Sequence, residues 1–376
     1  MRIARVGPPA VLCALLAAAS ASAIEAPEQQ AEPRGEKSAL DDQTDFYEVL
    51  QRSSHTRALR GLDIPQSAID WLAKGAADEA VAELSARAAQ GDLDANVALV
   101  RIQHWCNRIS SARPPDPQSQ IQKLDPGLTG ERAGKAAGVI HAQTEFYARA
   151  SQRCAAAQFD YGGIEARLRE AAAAGHPASA VELAQFVRDP SERKALLESA
   201  VEKNYPPAMY AAAADLLVAV QRGQTTENVS SIRLLLKQAG RTLPKAKLDL
   251  ANCMALGCDG HPADALTARA FGLDAARDGE PSSFLSMMRM PWGGRLTRTQ
   301  HLAWQYFGDR LNEAGCFGEN YVAAASQTAQ AIAMLEKGQS PETLEEARRQ
   351  ALILWRDNGT RAMREQGCGG KEADGG

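Results

Sequence analysis

A short pattern of small and apolar residues returns along the chain. It reads Ala-Ala-x-Gly-x-x-x-small-x-x-x-apolar, and its clearest copy runs from Ala88 through Gly91 and Ala95 to Leu99. Residues four apart lie on the same face of an α-helix, and small side chains there let a neighbouring backbone approach closely. Gly also tolerates the left-handed conformation that commonly ends a helix. The pattern therefore predicts one helix that ends near the Gly and a second helix that starts just after it.

Four further copies follow, with Asn or Thr in place of Gly in the third and fourth copies. Their anchor residues and the small residues four positions later are Gly175 and Ser179, Asn204 and Ala208, Thr242 and Ala246, and Gly279 and Ser283. The five anchors are separated by 84, 29, 38 and 37 residues. Repeats of a few dozen residues are typical of stacked-helix solenoids. The wide first gap leaves room for a degraded copy around Gly138, or for one long helix from about residue 131 to 157.

The segment from Ala246 to Met287 resembles the Sel1-like repeats, which are relatives of the tetratricopeptide repeat. It contains a helix, a loop with two glycines, an Ala-Ala-x-x-Gly sequence that ends at Gly279, and another helix. The second half of this motif, which is the sequence around the anchor residue with the helix after it, occurs in three other stretches, 80–100, 166–187 and 193–217. The resemblance covers about residues 70–290. It implies an all-α superhelical solenoid of antiparallel helix pairs, and a helical scaffold that binds other proteins, often in the bacterial envelope or in signalling assemblies.

The first 23 residues have the pattern of a secretory signal peptide. Two arginines precede a short apolar run, and Ala21-Ser22-Ala23 supplies a cleavage site. That run is too short to cross a bilayer, and no later stretch contains eighteen consecutive apolar residues. We therefore expect export through the inner membrane, a periplasmic location, and no transmembrane segment in the mature chain.

The remaining sequence divides into parts of different composition. Residues 24–41 are rich in Glu, Gln and Pro, which predicts a disordered lead-in. We expect the repeat solenoid at 42–296, with a Pro-rich inserted loop at 111–130. Helical patterning continues at 297–366 without the repeat, which predicts a helical C-terminal cap over the open end of the stack. The Gly-rich residues 367–376 are expected to be a disordered tail.

Charge and composition narrow the classes of partner. The formal net charge is −4, and it becomes −6 when the two arginines of the signal peptide are removed. Because nucleic acids attract basic surfaces, this balance argues against a nucleic-acid partner. An apolar content of 45% with only 5% aromatic residues fits closely packed Ala- and Leu-rich helices. The charge does not identify the partner.

Six cysteines remain after the signal peptide, an even number that suggests disulfides in an exported chain. Proximity in the sequence favours three pairs: Cys106 with Cys154, Cys253 with Cys258, and Cys316 with Cys368. The first pair closes a loop of about 49 residues, worth about 4 kcal/mol in the chain-entropy model. A zinc site around Cys253, Cys258 and His261 is the alternative, although a fourth ligand is not evident.

No motif of catalysis or of cofactor binding occurs in the sequence. The histidines do not pair at metal-ligand spacing, and His104 and His176 are interpreted as packed or capping residues. Glu345 and Glu346 are adjacent on a predicted helix and therefore diverge towards solvent. We expect no catalytic residue, no cofactor and no metal. An α/α protein that binds or cleaves cell-wall or polysaccharide material is the alternative function.

The segment 284–295 has the most unusual local composition, with three methionines and a tryptophan flanked by arginines. Such a segment can form an adaptable protein-binding surface, with Arg289, Trp292 and Arg295 as candidate contact residues and Trp292 as the anchor. The alternative is that Phe284 and the methionines belong to the core while Trp292 wedges the junction to the cap.

The sequence therefore predicts a non-catalytic, exported scaffold or adaptor that binds a protein partner in the bacterial cell envelope. Binding would use the concave groove of the stack, to which successive first helices of the repeats contribute variable side chains.

Overall fold

Antiparallel helix pairs make up the part of the chain that the structure describes. The structure is a computed structural model, and it describes residues 36–111, 116–124, 126–159, 161–224, 229–258 and 260–368. Within these ranges there are seventeen α-helices, two short 3-10 turns and no strand. The helices are α1 Glu36–Ala58, α2 Gln66–Ala73, α3 Ala77–Ala89, α4 Leu93–Ser111, α5 Pro117–Ile121, α6 Gly130–Ala156, α7 Tyr161–Ala173, α8 Pro177–Phe186, α9 Pro190–Glu202, α10 Pro206–Gln221, α11 Ser231–Ala239, α12 Pro244–Leu256, α13 Ala265–Arg277, α14 Pro281–Arg289, α15 Arg298–Glu313, α16 Tyr321–Glu336 and α17 Pro341–Gln366. The predicted all-α solenoid class is confirmed.

The anchor residues of the sequence pattern lie in the turns between consecutive helices. Gly91, Gly175 and Gly279 have φ values of 92°, 86° and 75°. Asn204 has a φ of 58° and is the one non-glycine residue with positive φ in the described ranges. A left-handed residue ends one helix and lets the chain reverse into the next. Thr242 lies in the corresponding turn between α11 and α12 without a positive φ.

The small residues that follow the anchors lie in the first turn of a helix and are completely buried. They are Ala95, Ser179, Ala208, Ala246 and Ser283, in α4, α8, α10, α12 and α14 respectively. Four of these five helices begin with a proline, which is favoured at the first helical position because its missing N–H would have no partner there. The anchor turn and the buried small residue mark the start of all five helices, and a proline marks the start of four of them.

The wide gap in the repeat spacing contains one long helix. α6 has 27 residues and packs against α1, α3, α4 and α16. Its Phe146 ring meets the ring of Tyr47 edge-on at 5.4 Å. The predicted loop at 111–130 contains the short helix α5, whose N-terminal amides are capped by the Asp116 carboxylate. The gap is therefore an insertion in the stack.

Both ends of the fold differ from the predicted boundaries. The signal peptide and residues 24–35 lie outside the described residues. α1 already begins at Glu36, inside the predicted lead-in, and its first residues include good helix formers. At the other end, Gly367 terminates α17 with a φ of 67°, and Cys368 is bonded to Cys316. These two residues of the predicted tail therefore belong to the ordered fold, and 369–376 lie outside the described residues.

Three disulfides are present, with the predicted pairing. Cys106 bonds Cys154, Cys253 bonds Cys258, and Cys316 bonds Cys368, with Cα–Cα distances of 5.3, 5.0 and 4.9 Å. The first bond joins α4 to α6 across the insertion, and the third joins the end of α17 to the turn after α15. The zinc alternative around Cys253 and Cys258 is contradicted, because those two sulfurs are bonded to each other.

The C-terminal helices return to the start of the chain. Ser53 of α1 donates a hydrogen bond from its Oγ to the carbonyl oxygen of Gln366 at 2.8 Å, and also reaches the carbonyl oxygen of Cys316 at 3.2 Å. Lys135 of α6 pairs with Glu313 at the end of α15 at 2.8 Å. The segment predicted to cap an open end therefore joins the two ends of the stack. Among the described residues, no helix is long and apolar enough to cross a membrane.

Candidate functional site

A cavity of about 720 Å³ opens between the inner helices of the stack. We call it the concave cavity; its lining residues come from the C-terminal end of α1, from α4, α8 and α10, and from Leu243 just before α12. α4, α8 and α10 each follow an anchor residue, as α12 does, so they are equivalent helices of the repeat pattern. The repeat pattern thus places consecutive equivalent helices around one cavity.

Arg101 connects three of the helices that form the cavity wall. Its Nε donates to the Glu182 carboxylate of α8 at 2.6 Å, and its Nη1 donates to the carbonyl oxygen of Ala58 at the end of α1 at 2.9 Å. The Glu182 side chain is almost completely buried. A charged hydrogen bond of this length to an almost completely buried carboxylate holds the guanidinium in place. Arg101 therefore holds a positive charge in a defined place.

Arg57 at the end of α1 and Arg60 just after it are held by carbonyl oxygens of the C-terminal segment. Arg57 donates from Nη1 to the carbonyl of Cys316 at 2.7 Å and from Nη2 to that of Phe317 at 3.3 Å. Arg60 donates to the carbonyl of Glu365. Burial lowers the pKa of both guanidiniums from the ordinary value, yet arginine keeps its proton in proteins. Closure of the stack thus positions two more positive charges at the cavity.

The C-terminal half of α4 contributes side chains that are not engaged. Arg108 and Asn107 are exposed, and neither side chain forms a hydrogen bond or ion pair with the described residues. The His104 ring packs edge-on against the Phe186 ring at 5.0 Å. Residues 101, 104 and 108 are three and four positions apart, so they share one face of the helix. That face is the one turned to the cavity.

The electrostatic balance of the cavity differs from that of the whole chain. Its lining contains four arginines, at positions 57, 60, 101 and 108, and one acidic residue, Glu182. The lining therefore has a formal excess of three positive charges, whereas the net charge of the whole chain is −4. Glu280, at the start of α14, lies close enough to Arg57 and Arg60 to interact with their charges. Burial raises the pKa of the Glu280 carboxyl, and this residue is not part of the cavity lining. The cavity is therefore basic.

The far wall of the cavity is formed by Tyr210 of α10. Its hydroxyl donates to the Asp249 carboxylate of α12 at 2.8 Å, and Asp249 also pairs with Lys245 at 2.9 Å. Burial, reinforced by the Asp249 charge, raises the pKa of Tyr210 well above its ordinary value. The Tyr210 side chain is therefore neutral, and its hydroxyl already donates its hydrogen bond to Asp249.

The lining does not have the geometry of a glycoside hydrolase. Such enzymes place two carboxyl groups about 5 to 9.5 Å apart across the substrate. Among the described residues that line the cavity, Glu182 is the only acid, and it is paired with Arg101. The arrangement can hold an anionic ligand, but the described lining contains no pair of carboxyl groups.

The residues that the sequence suggests as protein contacts lie elsewhere. Trp292 is completely buried, and its Nε1 donates to the Asn252 side-chain oxygen at 3.0 Å. The indole packs over Gly272, where an added Cβ would lie 2.8 Å from the ring. The hypothesis of an exposed Trp292 anchor is therefore wrong, because the indole is buried against α12 and α13. Arg289 is exposed at the end of α14 and is not among the described residues that line the concave cavity, and Arg295 ends a 3-10 turn.

The two histidines interpreted as structural have different surroundings. His176 precedes α8, and its Nδ1 accepts from the Ser179 amide at 3.3 Å, which makes it an N-cap. His104, in contrast, belongs to the lining of the cavity. Arg57, Arg101 and Arg108 line the cavity but were not predicted as candidate site residues. The spacing of Arg101, His104 and Arg108 could have indicated this site, because it places three basic side chains on one face of a helix that follows an anchor.

The chain was compared with protein-family models, curated proteins and solved structures. No protein-family model matches the chain, and no curated protein does. Among solved structures, the chain is similar to the crystal structure of c5321, a protective antigen present in uropathogenic Escherichia coli strains displaying an SLR (Sel1-like repeat) fold. The identity is 12%, the match covers 89% of this chain and 88% of that chain, and the TM-score is 0.43. The paired helices and anchor turns described above give this chain the architecture that the resemblance to Sel1-like repeats implies.

Proposed function

We propose that this chain is an exported, non-catalytic scaffold that binds a protein partner in its concave cavity, within the bacterial cell envelope. The observation that carries the proposal is the cavity itself, which is built by equivalent helices of consecutive repeats. Repeat proteins use such inner surfaces for binding, because each repeat adds side chains to one continuous face. The cavity volume of about 720 Å³ is within the range of about 300 to 1,000 Å³ that ligand sites occupy.

The mixture of apolar and polar residues in the cavity lining supports a role in binding. Val181, Pro207 and Leu243 supply apolar surface, while exposed polar groups such as Asn107 and Gln185 stand between them. A small number of polar groups on an apolar wall is typical of a recognition site.

Export is supported by the three disulfides. Disulfides form and persist in oxidising compartments, and they are rare in proteins that stay in the cytosol. Together with the signal-like N-terminal sequence, they favour a periplasmic location for the mature chain.

Site-specific photo-cross-linking in intact cells tests the proposal. A photoreactive amino acid replaces Gln185, which is exposed and lines the cavity; the matched control replaces Gln90, an exposed glutamine outside the lining. We expect one discrete protein adduct from position 185 and none from position 90. Adducts of equal intensity from both positions, or none from either, would remove the concave cavity as the binding site. In the second case, binding assays with cell-wall fragments would examine the polysaccharide alternative.

A further inference from the structure

We propose that the concave cavity binds an extended peptide segment of the partner whose acidic side chains pair with Arg108 and the neighbouring arginines. This inference rests on the proposed function and specifies the chemistry of the partner. It is carried by a concentration of positive charge, with a formal excess of three, on the inner face of a chain whose net charge is −4.

The first support is that three of the arginines are already held in place. Arg57 and Arg60 are bound by carbonyl oxygens of the C-terminal helices, and Arg101 is bound by Glu182 and by the carbonyl of Ala58. Each guanidinium has five N–H donors, so these contacts leave others free for a ligand. Because the side chains are fixed beforehand, a ligand loses less side-chain entropy when it binds them.

The second support is that Arg108 is charged, exposed and without a partner in the described structure, although it lies at the rim of an otherwise well-paired cavity. Within the same lining, Arg101 is paired with Glu182 at 2.6 Å, and Arg57 and Arg60 are bound by carbonyl oxygens. A bidentate contact with a carboxylate is the interaction for which the guanidinium geometry is suited. Arg108 is therefore the residue of the lining that we expect to form a new ion pair with an acidic ligand.

The third support distinguishes a peptide from a small anion or an acidic glycan. A small anion would use only the arginines, whereas the cavity also presents apolar wall from Val181, Pro207 and Leu243. Asn107, exposed and unpaired beside Arg108, has a side-chain amide with both a donor and an acceptor. That combination matches a peptide group. Charge, apolar surface and an amide in one cavity fit an acidic peptide better than either alternative.

Fluorescence anisotropy with the full, disulfide-bonded chain tests this. The probe is a fluorescein-labelled peptide of alternating Glu and Ala, and its counterpart of alternating Lys and Ala is the charge control. We expect saturable binding of the acidic peptide that weakens as salt is added, and no binding of the basic peptide. Inorganic phosphate and an oligomer of galacturonic acid are added as competitors to separate the possible sources of negative charge.

Three variants locate the contact. Arg108→Ala should weaken binding of the acidic peptide at least about tenfold, since a charged hydrogen bond is lost. Arg108→Lys should retain part of the affinity because the charge remains. The matched control is Arg222→Ala, at the far end of α10, which removes another exposed and unpartnered arginine and should leave affinity unchanged. Circular dichroism verifies that each variant is folded, which is expected because neither guanidinium has a hydrogen-bond or ion-pair partner among the described residues.

The inference is overturned if the acidic peptide does not bind, if the basic peptide binds equally, or if Arg108→Ala and Arg222→Ala behave alike. Binding of the galacturonic acid oligomer in place of the peptide, or full displacement by inorganic phosphate at equal charge concentration, also overturns it in favour of a glycan or small-anion site. These outcomes are separable from failure of the proposed function. A protein adduct at position 185 together with no acidic-peptide binding would leave the scaffold in place and refute only its acidic partner.

Discussion

At the scale of single residues, the location of a side chain in the fold can differ from the location that its type and local sequence predict. Trp292 follows a proline and precedes two glycines, which indicates a turn, and turns are usually exposed. The indole is nevertheless buried, because Gly272 leaves room for it on α13 and Asn252 on α12 accepts its N–H. The sequence shows the turn but not the space opposite it. Partners forty residues away are not visible in a local pattern.

Replacement of Trp292 tests that assignment. Trp292→Ala should lower the free energy of unfolding by about 3 to 5 kcal/mol, as expected for a large buried aromatic side chain. Chemical denaturation measures the change, and Trp292→Phe should cost less because more of the volume is retained. At temperatures where the Ala variant is folded, cross-linking from position 185 should be unaltered. A stable Ala variant that no longer binds would instead restore Trp292 as a contact residue.

His55 is a second residue whose surroundings determine its chemistry. It is buried in α1 with its ring edge-on to Trp105 at 5.0 Å, and its Nε2 has no hydrogen-bond partner in the described structure. Burial, with a smaller contribution from the Arg108 charge, lowers the pKa of His55 from 6.5 to about 4. The folded state therefore holds the imidazole neutral, while the unfolded state takes up a proton below pH 6.5.

This difference predicts a pH-dependent stability. Between pH 6.5 and pH 4 the unfolded state binds more protons, so the free energy of unfolding falls as the pH is lowered, by about 3 kcal/mol in total from this group. The full contribution is present above pH 6.5. Denaturation at a series of pH values, compared with His55→Leu, measures it. The difference between the two proteins should change across this interval; a constant difference would mean that His55 is not the titrating group.

At the scale of elements, helix starts are the best predicted feature. The N-cap, the proline and the small residue after an anchor are all local signals, and local signals determine where a helix begins. Ser340 and Pro341 open α17 as the sequence indicates, with the Ser340 hydroxyl accepting from the Thr343 amide at 3.3 Å. The start of α1 was less predictable, since charged residues at 36–41 suit both a helix and a disordered segment.

α9 offers a test of these local signals. Its N-cap is Asp189, whose carboxylate accepts from the Ser191 amide at 3.0 Å, and Pro190 occupies the first helical position. Asp189→Ala should destabilise the helix by about 1 kcal/mol because that amide loses its acceptor. Asp189→Asn should retain nearly all of the stability, because Asn is an equally good cap. Thermal unfolding and amide exchange within α9 provide the measurement, and equal losses in both variants would show that the cap contributes nothing.

At the scale of the whole molecule, closure of the stack was not predictable. The sequence indicates a terminal helical segment after residue 297, and a cap is the usual role for such a segment. Nothing local shows that its carbonyl oxygens meet Ser53 and Arg57, more than 250 positions earlier in the chain. The same contacts position Arg57 and Arg60 at the cavity. The candidate site therefore escaped prediction for the same reason as the closure, since both depend on long-range packing.

Ser53 tests the closure directly. The residue is completely buried, and Ser53→Ala removes the hydroxyl that two carbonyl oxygens share, which should cost about 1 to 3 kcal/mol. Hydrogen exchange followed by mass spectrometry should show faster exchange both in α1 and at the end of α17, because each stabilises the other. The matched control is Ser67→Ala on the exposed part of α2, whose hydroxyl contacts only Glu83. Faster exchange in α1 alone would argue that the two ends are not coupled.

Joining the two ends also constrains how this protein can change in evolution. An open solenoid tolerates duplication or deletion of a helix pair, because each unit touches only its neighbours. Here an extra pair would move α17 away from α1, and the hydrogen bonds from Ser53 and Arg57 would be lost together. Duplication of a unit should therefore be selected against. Homologues that keep the closing contacts should share the same number of units and vary in length chiefly in the connecting turns.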